Sequence, residues 1–170
     1  MRITLALILF TMSASAQDPS PAQAACGPKS VNFDVKNDNS QHTVGQPQAG
    51  KALVYVIEDI GSVHCLGSCI TTKVALDGAW VGANRHNSYF SFAVDPGERH
   101  LCVNPQSSFE YLFRLVGLVH FTAEAGKVYY FRSRAFSGKD QVLFDFDPID
   151  SDQGKFFIAS YPLSVSHPKK

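Results

Sequence analysis

The sequence predicts an all-β domain, organised as an antiparallel β-sandwich or open barrel with one short C-terminal helix. Eight or nine short segments have the apolar or alternating pattern of strands, and turn signals separate them about every eight to twelve residues. The strongest segment is ALVYVIE at Ala52–Glu58, which glycines flank. Only residues 154–160 favour a helix, with Asp150 or Ser151 as its N-cap.

Two turn signals divide the central strands. Asp77-Gly78 predicts a hairpin turn, because both residue types tolerate a positive φ. Pro96-Gly97 predicts another, since proline presets φ and glycine takes the left-handed position. The predicted strands are residues 31–35, 52–58, 71–76, 79–83, 89–94, 99–103, 118–123, 128–135 and 142–146.

The first residues have the three-part pattern of a secretory signal peptide. A basic start at Met1-Arg2 precedes an uncharged apolar stretch at residues 3–12, and small residues follow up to Ala16. That stretch is about half the roughly 20 residues that a membrane-spanning helix needs. We therefore expect cleavage after Ala16 and export to the periplasm or the extracellular space. The predicted organisation is a signal peptide at 1–16, a disordered leader at 17–30, a single β domain at 31–163 and a polar tail at 164–170.

The four cysteines predict two disulfides, because an even count in an exported chain is typical of oxidised pairs. Three pairings of Cys26, Cys65, Cys69 and Cys102 are open. Long bridges stabilise more than a local Cys65–Cys69 loop, so the favoured pairing divides Cys65 and Cys69 between Cys26 and Cys102. A metal or thiol site at His64-Cys65 and Cys69 is the alternative, although the spacing matches no standard zinc pattern. Lipid attachment at Cys26 is disfavoured, because it requires an aliphatic residue three positions earlier and Gln23 occupies that position.

The balanced charge excludes several kinds of partner. Fifteen basic and fifteen acidic residues give a formal net charge of +0, which argues against nucleic acid and against electrostatic attachment to an anionic membrane.

No sequence motif for a cofactor, for a G-x-S-x-G nucleophile, for H-E-x-x-H or for a P-loop is present. We therefore expect no cofactor and no catalytic residue.

Four stretches in order carry a family resemblance. They are GKALVYV at residues 50–56, VALDG at 74–78 with VG at 81–82, YF at 89–90 leading to PGERHL at 96–101, and AGKVYYF at 125–131. In this order they resemble the bacterial domain-of-unknown-function family 2846, whose members are small exported or lipid-anchored proteins. The resemblance covers about residues 50–146 and implies a fold and export. It transfers no catalytic residue, because the family has no established activity.

Two departures and one further similarity qualify that resemblance. The chain has four cysteines and lacks the lipid-attachment motif, so a lipid anchor is not carried over. The LDG and PGE segments are also similar to PEGA-type surface domains, which are small β-sandwiches, and this similarity implies a structural or adhesive role.

Histidines and late aspartates supply the alternative hypothesis of an enzyme. His100 and Cys102 alternate on one predicted strand and share a face, while His120 lies on another strand. The late aspartates are Asp145, Asp147, Asp150 and Asp152. Together with His100 and His120 they define a hydrolase or metal-dependent enzyme as the second hypothesis, although a solvated strand end and a helix cap are the favoured explanation of the aspartates.

Aromatic residues supply the leading hypothesis of a binding surface. Trp80, with Tyr89 and Phe90, forms a candidate platform for a glycan or a peptide, although Trp80 also suits a core position. Phe109, Tyr111 and Phe113 form a second candidate surface. The leading hypothesis is thus a non-catalytic envelope or secreted module that binds an envelope protein or a glycan.

Overall fold

The computed structural model describes residues 25–28, 30–60, 70–106, 116–137 and 142–170, which form strands and one helix. The elements in chain order are β1 (Phe33–Asp38), β2 (Ala52–Glu58), β3 (Thr71–Leu76), β4 (Ala79–Arg85), β5 (Ser88–Val94), β6 (Gly97–Gln106), β7 (Gly117–Ala123), β8 (Val128–Ser137), β9 (Val142–Ile149), α1 (Ser151–Ser160) and β10 (Leu163–Pro168).

Two sheets face each other across one apolar core. The larger sheet has the order β1-β10-β5-β2-β8-β9, and the smaller has the order β4-β3-β6-β7. The predicted β-sandwich with a single C-terminal helix is confirmed. Two pairs, β2 with β8 and β10 with β5, are parallel, whereas the others are antiparallel. The sequence did not predict these parallel pairs, because side chains alternate between the faces in either direction.

Strand β2 is buried on both faces, which explains its continuous apolar sequence. Val54 and Val56 point into the core between the sheets and pack with Phe131 of β8. Tyr55 and Ile57 point the other way, into a second core. A half-exposed strand alternates between apolar and polar residues, whereas ALVYVIE needs apolar residues at nearly every position.

Helix α1 covers the outer face of the larger sheet. Asp150 caps its N-terminus, since the carboxylate accepts hydrogen bonds of 2.9 Å from the backbone N–H groups of Asp152 and Gln153. Of the two predicted N-caps, Asp150 and Ser151, the structure therefore confirms Asp150. Ile158 is buried in the second core, and Gly154 faces the ring of Tyr130. The helix thus buries one face against the aromatic side chains that β2, β5 and β8 point away from the sandwich.

The hairpin between β3 and β4 forms at the predicted turn. Asp77 has φ 48° and Gly78 has φ 86°. Both central residues therefore have a positive φ, as a two-residue hairpin of the favoured hand requires. Arg99 on β6 donates to the Asp77 carboxylate at 3.0 Å, which fastens the turn to the neighbouring strand.

The C-terminal segment is a strand, and the prediction of a polar tail at 164–170 was wrong. Strand β10 pairs with the whole of β1, from Phe33 opposite Pro168 to Asp38 opposite Leu163. Its polar side chains are not typical of a buried strand, but here they form hydrogen bonds to neighbouring strands. Ser164 Oγ donates to Ser88 Oγ at 2.8 Å and is buried.

The leader also extends less far than expected. Residues 25–28 are ordered against the smaller sheet, so the disordered leader predicted at 17–30 was wrong at its C-terminal end. Ala25 is buried, and its carbonyl accepts a 3.0 Å hydrogen bond from the Gly78 N–H. The predicted signal peptide lies outside the described residues. Within the described ranges, no helix is long and apolar enough to cross a membrane.

Replacing Gly154 tests how closely α1 packs. A Cβ added at Gly154 would overlap the ring of Tyr130, so Gly154→Ala has to push the helix off the sheet. We expect a loss of about 1–3 kcal/mol in the free energy of unfolding, although alanine has a helix propensity about 1 kcal/mol better than glycine. Urea unfolding measures this change in the free energy of unfolding. Gln153→Ala, on the exposed side of α1, is the control, and a Gly154→Ala variant as stable as this control would contradict the packing.

Candidate functional site

The outer face of the smaller sheet carries a covalently attached N-terminal segment. Cys26 is disulfide-bonded to Cys102 of β6, across 76 residues of sequence. The favoured division of Cys65 and Cys69 between these two cysteines was therefore wrong. Cys102 projects outward from the sheet opposite Ala75, a small residue that leaves room for the segment around Cys26. Cys65 and Cys69 lie outside the described residues.

Trp80 is the side chain on which this segment rests. Its Nε1 donates to the Pro28 carbonyl at 2.8 Å. A Cβ at Gly27 would lie 2.5 Å from Trp80 Nε1, so only glycine fits at this position. We call residues 25–28 the N-terminal strap. Trp80 is thus partly covered by the strap.

A buried lysine completes the contact between Trp80 and the chain that follows the strap. Lys73 is 1% exposed, and its Nζ lies 4.4 Å from the centroid of the Trp80 ring. The ammonium donates to the Val31 carbonyl at 2.8 Å, and burial lowers the pKa of Lys73. A cation on an aromatic face is attracted by the ring quadrupole, so the arrangement fixes both side chains.

The aromatic platform expected at Trp80, Tyr89 and Phe90 does not form. Tyr89 and Phe90 are buried and point to opposite faces of β5. Phe90 joins the core between the sheets, whereas Tyr89 joins the core beneath α1. Consecutive residues of a strand always separate in this way. The second candidate surface, at Phe109, Tyr111 and Phe113, lies outside the described residues.

A buried polar bridge joins the two sheets at the C-terminal end of β2. Thr72 on β3 donates a short hydrogen bond to the Glu58 carboxyl on β2. Asn84, which is directly opposite Thr72 on β4, donates to the Val56 carbonyl at 3.0 Å. Glu58, Thr72 and Asn84 are all buried. We call these three residues the inter-sheet bridge.

Burial determines the charge state of the bridge. Desolvation raises the pKa of Glu58 from its ordinary value of 4.5 to about 8, and the hydrogen bond from Thr72 opposes this only in part. At neutral pH most of the carboxyl is therefore protonated. Within the described ranges, Glu58 Oε2 and Asn84 Oδ1 have no hydrogen-bond partner. A neutral carboxyl costs less to bury without full hydrogen bonding than a carboxylate does.

The inter-sheet bridge was not predicted, although the sequence contains a signal for it. Glu58 has the same parity as Val54 and Val56 in β2, so alternation places its side chain between the sheets. An acidic residue at the inward position of a core strand indicates either a buried neutral carboxyl or a paired one. The bridge is nevertheless a structural feature, because all three side chains are enclosed.

The residues of the enzyme hypothesis are divided between two surfaces. His100 and His120 lie directly opposite each other on β6 and β7 of the smaller sheet. Asp145 and Asp147 lie on β9 of the larger sheet, where Arg134 Nη2 is 3.2 and 3.6 Å from their carboxylates. Because Phe146 between them packs in the core, both aspartates face outward from the other side of the sandwich.

The other two late aspartates belong to the helix. Asp150 is the N-cap of α1, and Asp152 lies in its first turn. Among the described residues, no group of three or more His, Cys, Asp or Glu side chains is placed to hold a metal ion. The structure therefore does not bring the histidines and the late aspartates together.

The described residues define a disulfide-bonded β-sandwich with one helix packed on its larger sheet. The chain belongs to the family described as "Protein of unknown function (DUF2846)", whose model matches residues 48–145, more than half of its length. The resemblance inferred from the sequence is confirmed, while the similarity to PEGA-type domains stays a prediction. No curated protein and no solved structure shows a significant match.

The buried carboxyl predicts an unusual dependence of stability on pH. Because the folded state holds a proton on Glu58 that the unfolded state releases, the stabilising contribution is complete below pH 4.5 and is lost as pH rises to about 8. A tenfold change in proton affinity corresponds to about 1.4 kcal/mol, so the loss reaches about 3–5 kcal/mol. Glu58→Gln removes this contribution to the dependence of stability on pH. In urea unfolding, we expect this variant to gain stability over the native protein as pH rises from 5 to 9.

The control for this prediction is Glu98→Gln, which removes an exposed carboxylate of β6. The difference in stability between this control and the native protein should stay nearly constant over the same pH range. If the curves for Glu58→Gln and the native protein run parallel from pH 5 to 9, Glu58 is ionised in the folded state at neutral pH.

The strap predicts a change in tryptophan fluorescence on loss of the disulfide. Trp80 is the chain's single tryptophan, so the emission reports on the surroundings of this one ring, which include the strap. In Cys26→Ala/Cys102→Ala, we expect a red-shifted emission maximum and stronger quenching by acrylamide, because the strap is released from the ring. The free energy of unfolding should fall by about 2–5 kcal/mol. Cys65→Ser/Cys69→Ser, which keeps the Cys26–Cys102 bond, is the control. An unshifted maximum in the alanine variant would show that the strap stays on Trp80 without the bond.

Proposed function

We propose that this protein is an exported, non-catalytic module of the cell envelope or the extracellular space, which acts by binding a partner or by supporting a surface assembly. The observation that carries the proposal is the Cys26–Cys102 disulfide. Structural disulfides persist in oxidising compartments and are rare in the cytosol. The bond also lies just after the segment that has the pattern of a signal peptide.

The use of the polar side chains supports binding over catalysis. The strongest pKa shift towards neutrality is that of Glu58, and this carboxyl is 2% exposed within the inter-sheet bridge. Asp77 and Asp145 are both held in ion pairs, with Arg99 and Arg134. General acid–base chemistry needs such groups within hydrogen-bond reach of a substrate. In the described part of the chain, these residues instead fasten strands and turns.

Exposed apolar side chains supply the candidate contact surfaces. Phe156 on α1 is 66% exposed, and Leu118 on β7 is 43% exposed. Strand β7 is also an edge of the smaller sheet, and among the described strands it pairs with β6 alone. Unpaired backbone groups along an edge strand favour the addition of a partner strand. An envelope protein is the partner that such an edge suits best, and a glycan is the alternative.

The test is site-specific photo-cross-linking in the native envelope. A photoreactive residue is placed at Leu118, at Phe156 and, as the control, at the exposed Lys36 of β1. If the protein is an exported binding module, a discrete adduct should form at Leu118 or Phe156 and be absent at Lys36. Mass spectrometry of the same material should show a chain that begins at Gln17 and lacks free thiols.

Two results would contradict the proposal. A chain that keeps residues 1–16 and is found in the cytosol with reduced cysteines would exclude export. An exported chain that forms no adduct at either position, and that turns over a substrate in a hydrolase screen, would favour the enzyme hypothesis.

A further inference from the structure

The outer face of the smaller sheet holds a pair of neighbouring histidines. His100 on β6 and His120 on β7 occupy directly opposite positions of an antiparallel pair. Their rings stack with centroids 6.1 Å apart and planes inclined by 28°. Residues directly opposite across antiparallel strands have Cβ atoms about 4.5–5.5 Å apart, so two imidazoles at such positions can converge on one atom between them.

No described residue occupies the ring nitrogens of His100 or His120. Within the described ranges, neither imidazole ring makes a hydrogen bond, and the contact between the two rings is a stacking contact. His120 is exposed and His100 is half-buried, so solvent reaches the pair. Metal coordination by imidazole requires such an unoccupied, unprotonated nitrogen.

The backbone around His100 is fixed from the side of the β3–β4 turn. The His100 N–H donates to the Asp77 carboxylate at 2.8 Å, and the His100 carbonyl accepts from the Asp77 N–H at 2.9 Å. Cys102, two residues later on the same face, is held by the disulfide. Ligands on a rigid strand keep their spacing, and this lowers the entropic cost of chelation.

The charge near the pair also suits a cation. Glu98 lies two residues before His100 on the same face and is exposed. Arg99, the intervening cation, belongs to the opposite face and is paired with Asp77 at 3.0 Å. The carboxylate of Glu98 therefore gives this part of the surface a negative charge beside the two imidazoles.

From this geometry we propose that His100 and His120 form a surface site for a divalent transition-metal ion of the Cu²⁺, Ni²⁺ or Zn²⁺ class. Imidazole nitrogen is a preferred ligand of these ions, whereas Mg²⁺ and Ca²⁺ prefer oxygen. Two protein nitrogens leave the other coordination positions to water or to a donor from a bound partner. The site is independent of the proposed envelope function and of any hydrolysis.

Copper titration of the purified protein tests the site. The protein carries no affinity tag, and any free thiol is alkylated, so that neither competes for the ion. We expect calorimetry to show one Cu²⁺ bound per chain, the electron paramagnetic resonance spectrum to show nitrogen ligands, and Mg²⁺ to give no binding heat. His100→Ala and His120→Ala should each weaken binding at least about tenfold, since loss of even a supporting group costs metal sites 10–100-fold.

The matched control is His167→Ala, which removes an exposed histidine from β10 in the other sheet. This variant should bind Cu²⁺ as tightly as the native protein. Circular dichroism spectra confirm that each variant is folded. The proposal is overturned if the native protein binds no Cu²⁺, or if the folded His100→Ala/His120→Ala variant binds it with native affinity.

Discussion

The burial of β2 on both faces is the constraint from which the rest of the architecture follows. One face must be covered by the smaller sheet, since Val54 and Val56 need apolar partners. The other face must be covered by α1, because Tyr55 and Ile57 would otherwise face water. Fully burying one large apolar side chain stabilises a fold by about 1.5–3 kcal/mol. A strand with several such residues on each face therefore cannot form the surface of a two-layer protein, and a third layer is needed.

The same constraint explains the inter-sheet bridge. Where β2 ends, the alternation that directs Val54 and Val56 inward also directs Glu58 inward. Among the described residues, the cost of burying this carboxyl is reduced by a proton and by the hydroxyl of Thr72, not by a cation. A protonated acid at the end of a core strand makes the attachment between the sheets weaker in alkaline solution than in acidic solution.

Local sequence rules predicted the local features well. Alternation predicted the strands at Ala52–Glu58 and Thr71–Leu76, and a positive φ predicted the turn at Asp77-Gly78. The cap at Asp150 depends on a side chain that lies near two backbone N–H groups. These requirements act within a few residues, so they are visible in the sequence.

Features that depend on distant contacts were missed or mispredicted. Strand β10 is polar because Ser164 and Ser166 bond to other strands, and no local pattern records those partners. The pairing of Cys26 with Cys102 depends on where β6 places Cys102 relative to the strap. The juxtaposition of His100 and His120 likewise follows from the register of β6 with β7, which their spacing of 20 positions in the sequence does not specify.

The strap also determines how the protein would respond to a mechanical load. Tension applied upstream of Cys26 passes through the sulfur–sulfur bond directly into β6, in the middle of the smaller sheet. The 75 residues between the two cysteines (a sequence separation of 76) form a closed covalent loop that pulling on the chain ends cannot extend. Strands β1 to β5 therefore carry no tension along their length, and of the strands and the helix only those beyond Cys102 can be extended by the force. A protein tethered in this way would unfold first in its C-terminal part, while strands β1 to β5 would not bear the force.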